Sequence, residues 1–161
     1  MKKIILVLIT CISPLLLCAQ QDDPTHSDSD ESAVKMVVEG FLKAAGDYNI
    51  DAMASMFAER ANIGGVTFKN GNWATYTMTL EEFMDVLRAE SNPTKYTEPV
   101  SKYTIHITEG MLAFVKADAT LFVNGSAKTY NYDYFTLIKE NGEWKILNGS
   151  YVAVPVDRIK D

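Results

Sequence analysis

The chain has 161 residues, of which 47% are hydrophobic, an ordinary composition for a folded protein with a sizeable core. Its formal net charge is −6 at pH 7, and the sequence contains no basic run. Because an acidic surface repels phosphate groups, nucleic acid and anionic lipid are excluded as expected partners.

The first segment of the chain, residues 1–19, has the form of a secretory signal. Two lysines precede an apolar run over 4–17, which is too short to span a membrane comfortably. Such a signal would direct export, and cleavage after Ala19 would leave the protein free in the periplasm or the medium. The alternative is a lipid anchor at Cys18, although Leu17 is larger than the residue that normally precedes a lipidated cysteine.

The cysteines and histidines predict no metal site and no cofactor. Both cysteines, Cys11 and Cys18, lie in the signal segment, so the remaining chain has no thiol for a disulfide, a nucleophile or a metal ligand. The two histidines and the scattered carboxylates do not form a zinc or calcium pattern.

Residues 20–31 follow the signal and contain five carboxylates among serine, threonine, proline and histidine. This composition is typical of a disordered acidic spacer. The folded domain is then expected over 32–158, as one domain without an internal repeat.

Three helices are predicted at the start of this domain. The first is expected to end at Gly46, and its apolar stripe consists of Val34, Val37, Val38, Phe41, Leu42 and Ala45. The second begins after Asn49, a residue typical of helix N-caps, and has its apolar residues at Ile50, Met53, Met56 and Phe57. The third begins at Thr79, where Glu82 completes a capping box, and it stops before Pro93.

Everything from Val100 onward is predicted as strand. Four strands are expected, over 100–108, 111–123, 128–139 and 144–154. They are separated by Glu-Gly or Asn-Gly turns at 109–110, 124–125 and 141–142. Gly64 and Gly65 are interpreted as a bulge or bend in an earlier strand.

This order of elements, with the Gly-Asp break at 46–47 between two helices, resembles the nuclear transport factor 2-like superfamily. The resemblance implies an α+β fold in which three N-terminal helices pack on a strongly curved antiparallel sheet and form a cone with an internal pocket. Enzymes of this superfamily include ketosteroid isomerase, scytalone dehydratase, limonene epoxide hydrolase and the SnoaL-type polyketide cyclases.

The resemblance also places the acid-base positions of ketosteroid isomerase on this chain. That enzyme uses a tyrosine on the first helix, a protonated aspartate on a late strand and a second aspartate as base. The tyrosine position falls on Phe41 and the base position on Gly65, and neither residue can transfer a proton. Only Asp133 matches, so isomerase chemistry is not expected, and we expect a pocket with a single acidic group.

Asp133 is the candidate catalytic residue. Strand alternation places Asp133 on one face with Asn131, Phe135 and Leu137, where apolar neighbours would raise the pKa of its carboxyl group. The interpretation we favour is structural, a carboxylate at the rim that is solvated or bonded to a helix end. His106 alternates with threonines on the polar face of its strand and is expected to be exposed or at an interface.

Aromatic and apolar side chains make up the rest of the candidate site. Trp73 and Tyr76 follow the Asn-Gly pair at 70–71, in a segment interpreted as a loop at the mouth of the cone. Three tyrosines over 130–134 share one face and are interpreted as a structural or dimer surface. The candidate ligand-binding residues are Phe41, Tyr48, Phe57, Trp73, Tyr76, Phe83, Leu87, Tyr103, Asn131 and Phe135.

Three functions remain open at this point. The one we favour is an exported, non-catalytic domain that binds a small apolar or aromatic ligand. The first alternative is a small-molecule dehydratase, cyclase or hydrolase that uses Asp133 as acid or base. The second alternative is an envelope assembly domain that forms a homodimer through its open sheet face.

Overall fold

The computed structural model describes residues 24–159. The predicted signal at 1–19, with both cysteines, and residues 20–23 of the predicted spacer lie outside this part of the chain. The described elements are α1 (Pro24–Asp47), α2 (Ile50–Ser55), β1 (Phe57–Lys69), β2 (Asn72–Thr79), α3 (Leu80–Ala89), β3 (Val100–Thr108), β4 (Leu112–Val123), β5 (Ser126–Glu140), β6 (Glu143–Pro155) and a terminal 3-10 turn (Val156–Arg158).

The six strands form one curved sheet that is not closed, in the order β2-β1-β6-β5-β4-β3. With the helices it gives the α+β cone that the resemblance implies. All neighbours pair antiparallel except β1 and β6, which are parallel. The prediction of an antiparallel sheet is therefore wrong at this pair. The three late hairpins fix the directions of β3 to β6 locally, whereas β1 reaches β6 through contacts between distant parts of the sequence.

A further strand occupies the segment that was interpreted as a loop. Residues 72–79 form β2, which pairs with β1 in the register Phe68 with Trp73 and Lys69 with Asn72. The turn between them is Asn70 and Gly71, with φ of 51° and 82°. These positive φ angles are those of a tight hairpin turn, so the Asn-Gly pair has the same role here as in the later hairpins.

The helix predictions are confirmed in their main features. Val34 and Val38 of α1 are fully buried, and they pack with Val115, Leu137 and Ile146 of the sheet. Asn49 caps α2 by accepting a hydrogen bond from the Ala52 backbone N–H at 3.1 Å, and the Thr79–Glu82 capping box of α3 is complete. Phe57, which was placed in the second helix, is the first residue of β1.

Helix α1 begins much earlier than predicted, inside the expected spacer. Asp30 is buried, and its Oδ1 accepts hydrogen bonds from Lys139 Nζ at 2.5 Å and Trp144 Nε1 at 3.1 Å. The structure thus includes residues 24–31 in this helix, where the sequence predicts a disordered spacer. An acidic composition favours disorder only while its charges lack partners, and here one partner lies more than a hundred positions away in sequence.

The end of α1 holds the segment between α3 and β3 against the body of the domain. Gly46 O accepts a hydrogen bond from Tyr96 N at 3.1 Å, and a Cβ on Gly46 would lie 2.3 Å from Tyr96 O. The next residue, Thr97, forms a bridge with Phe122 of β4. Glycine at position 46 thus permits a close backbone approach that holds residues 96–98 between the end of α1 and β4. Within residues 24–159, no helix combines the length and the apolar character needed to cross a bilayer.

Candidate functional site

A cavity of about 430 Å³ lies between the three helices and the concave face of the sheet. Its walls are mainly apolar, and all three helices and five of the six strands contribute to them. This volume is in the range of sites that hold small organic molecules. The geometry therefore provides the pocket that the resemblance implies.

Three phenylalanines form the inner wall of the cavity. The ring of Phe41, on α1, lies edge-to-face against Phe57 at 5.3 Å and against Phe135 at 5.7 Å between centroids. Edge-to-face packing holds each ring in a defined orientation. The wall is therefore a rigid apolar surface that a flat molecule can contact.

Most of the predicted site residues line this cavity. They are Phe41, Tyr48, Phe57, Tyr76, Phe83, Leu87, Asn131, Asp133 and Phe135. Trp73 and Tyr103 do not line it. Tyr76 is in β2 and not in a loop, and its ring covers Gly65, where a Cβ would lie 2.4 Å from Tyr76 Cε1.

Trp73 lies on the opposite side of β2 from Tyr76, because the two residues are separated by an odd number of positions. Its ring packs on Phe68 at 5.2 Å, and the guanidinium of Arg158 lies 3.7 Å from the centroid of the Phe68 ring. Trp73 is thus part of a surface cluster that joins the β1–β2 hairpin to the C-terminal turn, and its prediction as a pocket residue is wrong.

Tyr103 lies on β3, the sheet edge farthest from β2, and packs on the middle of α1. The Lys35 ammonium is 5.0 Å from its ring centroid, and its hydroxyl is 3.5 Å from Glu39 Oε1. The prediction of Tyr103 as a pocket residue is therefore wrong, because its side chain packs against Lys35 and Glu39 of α1. His106, on the same strand, is exposed as predicted.

Asp133 is enclosed and does not lie at the rim. It is 5% exposed, it lines the cavity, and its Oδ2 has no hydrogen-bond partner. Burial raises the pKa of this carboxyl group to about 8, and the negative charges of Glu98 and Asp118 add to the effect. The favoured interpretation as a solvated rim carboxylate is wrong, because β5 lies inside the sheet between β6 and β4.

Glu98 is a second acid in the same cavity, and the sequence analysis missed it. Asn131 Nδ2 donates a hydrogen bond to Glu98 Oε1. Burial raises the pKa of Glu98, while the hydrogen bond from Asn131 opposes that rise. The expectation of a single acidic group is therefore wrong. Glu98 precedes a strand in a segment without periodicity, so no local pattern marks it as a cavity residue.

Two further tyrosines that sequence reasoning missed complete the polar lining. Tyr96 precedes Glu98, and Tyr151 of β6 lies 6.1 Å from Tyr76 between ring centroids. Burial raises the pKa of both Tyr76 and Tyr96 above the ordinary tyrosine value. These hydroxyls therefore remain protonated at neutral pH. Among the residues that the structure describes, no group of three His, Cys, Asp or Glu side chains is arranged to hold a metal ion.

The α+β cone with an internal, largely apolar cavity defines the class of this protein as the nuclear transport factor 2-like superfamily. Within that class, the chain belongs to the family described as "Putative lumazine-binding", whose model matches residues 29–152. The sequence matches no curated protein.

Solved structures with the same fold support this classification. One is an NTF2-like protein of unknown function from Shewanella baltica OS155, with 20% identity, a TM-score of 0.60, and coverage of 80% of this chain and 96% of that chain. Another, from Novosphingobium aromaticivorans DSM 12444, is described as a putative scytalone dehydratase, with 13% identity, a TM-score of 0.63, and coverage of 85% and 99%. At these identities the likeness concerns the fold alone.

Proposed function

We propose that the protein binds a small, flat, mainly apolar or aromatic molecule in the cavity of the cone, and that it does so without transforming it. The observation that carries this proposal is the cavity itself, with aromatic walls and a small polar region formed by Asn131, Asp133 and Glu98. Apolar walls provide affinity, and a few placed polar groups provide orientation.

The family description supports lumazine as the first compound to test. Lumazine is a flat bicyclic heterocycle whose carbonyl groups and ring N–H groups lie on one side of the molecule. Asp133, which remains protonated below its pKa of about 8, is a hydrogen-bond donor for such a carbonyl oxygen. The absence of catalysis is supported by Phe41 and Gly65, which occupy two positions where the related isomerase has acid-base groups.

Thermal unfolding in the presence of a panel of flat compounds tests this proposal. A ligand that binds only the folded state and is present at a hundred times its Kd adds about 2.7 kcal/mol to the free energy of unfolding. We expect lumazine or another flat heterocycle to raise the Tm and to be recovered unchanged by mass spectrometry. A panel in which no compound raises the Tm would contradict the proposal.

A second candidate function is acid-base catalysis on a small molecule, and it is favoured by Glu98. Two carboxyl groups whose pKa values are raised by burial in one cavity are a common arrangement for proton transfer. Here one acid would donate a proton and the other would accept one, as in a dehydratase. If a bound compound is converted, Asp133→Asn should abolish turnover while the far-UV circular dichroism spectrum is retained.

We also propose that two copies of the chain pair through the outer face of the sheet. Exposed apolar side chains on this face include Leu112, Phe114 and Tyr130, and Phe114 lies 6.2 Å from Tyr134 between ring centroids. A two-fold contact would cover this patch on both copies at once.

Finally, we propose that the protein is exported, on the basis of the signal-like segment at 1–19. The form cleaved after Ala19 would be free in the periplasm or the medium, and the form lipidated at Cys18 would be attached to the envelope. Mass spectrometry of the N-terminal peptide distinguishes the two, because they begin at different residues and only one carries acyl chains. An intact N-terminus that still contains residues 1–17 would contradict both.

A further inference from the structure

Two buried side-chain atoms lack a hydrogen-bond partner in the part of the chain that the structure describes, and both lie in the cavity lining. They are Asn131 Oδ1 and Asp133 Oδ2, from residues that are each 5% exposed. Leaving a buried polar atom without a partner destabilises a protein, so such atoms are rare in native structures. Two such atoms two residues apart on β5 form a polar part of the cavity wall with which a ligand can form hydrogen bonds.

The chemistry of the two atoms is complementary. Asn131 Oδ1 is a carbonyl oxygen and can only accept, and the Nδ2 of the same amide already donates to Glu98. Asp133 is a donor when its carboxyl group is protonated, and its burial favours the protonated form. A neighbouring acceptor and donor match a ligand that presents an N–H group beside a carbonyl group.

We propose that Asn131 and Asp133 bind the amide edge of a flat heterocycle, which is the side that carries an N–H group beside a C=O group. The ring N–H donates to Asn131, and the ring C=O accepts from Asp133. Glu98 is the positioning residue that orients the Asn131 amide. This proposal rests on the binding function proposed above and names the class of ligand for it. Glu98 makes its contact with Asn131, so its effect on the ligand passes through the orientation of that amide.

The protonation state of Glu98 decides which end of the Asn131 amide faces the cavity. An ionised Glu98 accepts from Nδ2 and leaves Oδ1 for the ligand. A protonated Glu98 has both an O–H that donates and a C=O that accepts, so it no longer selects one orientation of the amide, and in the turned orientation Nδ2 faces the cavity. The ligand N–H would then face another donor, and binding of an amide edge would weaken.

Apart from Lys128, the other ionisable groups named around this site are acidic or phenolic. Asp133 faces Glu98 from β5, Tyr96 precedes it in the same segment, and Tyr48, from the α1–α2 connection, and Tyr151, from β6, lie near Tyr96. Asp118 acts on Asp133 from β4, and Lys128 is exposed where the lining reaches the surface. Affinity for an amide edge should therefore fall as the pH is lowered through the raised pKa of Glu98.

The experiment compares two ligands of nearly the same shape, lumazine and 1,3-dimethyllumazine, by calorimetric titration of the full chain. The methylated compound keeps the ring and the carbonyl groups and lacks both N–H groups. We expect lumazine to bind at least about tenfold more tightly, because methylation leaves Asn131 Oδ1 without a partner. This comparison uses the unmodified protein and does not depend on the folding of a variant.

Glu98→Gln tests the positioning role, with Glu81→Gln on the exposed side of α3 as the matched control. A neutral glutamine can present either end of its amide to Asn131, so the preference for lumazine should fall several-fold. The decrease in affinity as the pH falls through the raised pKa of Glu98 should also disappear. A purely structural role for Glu98 would lower the Tm and leave the ligand preference and the pH profile unchanged, and that result would overturn the proposal.

The outcomes separate this inference from the binding function itself. Equal affinity for the two compounds would overturn the amide-edge proposal while leaving the cavity as a binding site. Failure of both compounds to bind, with other flat molecules still raising the Tm, would also overturn it. If no flat compound raises the Tm, the proposed function fails as well.

Discussion

Among single residues, Asp133 couples the candidate site to the stability of the whole fold. Its carboxyl group titrates near pH 8 in the folded chain and near its ordinary value in the unfolded chain. Between these values the folded state retains a proton that the unfolded state has released. The contribution of Asp133 to the free energy of unfolding is therefore greatest at low pH, and it decreases as the pH rises toward about 8.

We expect Asp133→Asn to remove this pH dependence. In the unmodified protein, the group lowers the free energy of unfolding by up to about 1.4 kcal/mol per pH unit across the window between the two pKa values. Urea denaturation near pH 5 and near pH 8 measures the effect, and the variant should be the more stable of the two proteins at the higher pH. The same change in the free energy of unfolding between these pH values in both proteins would show that burial does not raise the pKa of Asp133.

Asp30 is the second residue with a specific prediction. Its buried carboxylate accepts from Lys139 and Trp144, and Asp30→Ala would leave the partly buried lysine charge without this partner. We expect a loss of about 3–5 kcal/mol in the free energy of unfolding. Asp85→Ala, which removes the exposed partner of Arg88, is the control and should leave the denaturation midpoint unchanged. Similar small effects from both variants would mean that α1 does not depend on this contact.

Of the elements, β1 has two adjacent glycines with different surroundings. A Cβ on Gly65 would meet the Tyr76 ring at 2.4 Å, whereas a Cβ on Gly64 would have its nearest neighbour at 3.5 Å. Gly65→Ala should therefore displace the Tyr76 ring, weaken ligand binding several-fold and destabilise the fold by about 1–3 kcal/mol. Gly64→Ala is the matched control. Equal ligand affinity in the two variants would show that Tyr76 does not shape the cavity.

The sequence predicted those elements whose signals are local. Asn49 and Thr79 mark the starts of α2 and α3 by side-chain caps, and the Asn-Gly and Glu-Gly turns define the late hairpins. The Asn-Gly pair at 70–71 is the same turn signal, although the segment after it was interpreted as a loop and forms β2. Strand alternation also placed Asn131 and Asp133 on one face, where the structure shows them.

Features that depend on distant contacts could not be predicted in this way. The parallel pairing of β1 with β6, the burial of Asp30 and the position of Glu98 all join segments that are far apart in sequence. Glu98 reaches the cavity because Tyr96 binds the end of α1 and Thr97 bridges to β4. No periodicity within residues 90–99 contains that information.

At the scale of the whole domain, the described residues include an apolar cavity inside the cone and an apolar patch on the outer face of the sheet. Light scattering tests whether the outer patch joins two copies. We expect a dimer, and we expect Phe114→Glu to yield a monomer because a buried unpaired charge opposes the contact. Met36→Glu, at a 68% exposed position on α1, is the control and should remain dimeric. A monomer at high concentration in the unmodified protein would contradict the pairing.

The most direct test of the central claim is calorimetric titration of the protein with lumazine and with the strongest ligand from the thermal panel. A molecule that enters the cavity should bind with one-to-one stoichiometry and with a negative heat capacity change, since apolar surface is removed from water. Binding should be lost or weakened in Gly65→Ala and retained in Gly64→Ala. Heats that do not saturate, or binding that is the same in both glycine variants, would contradict a ligand site inside the cone.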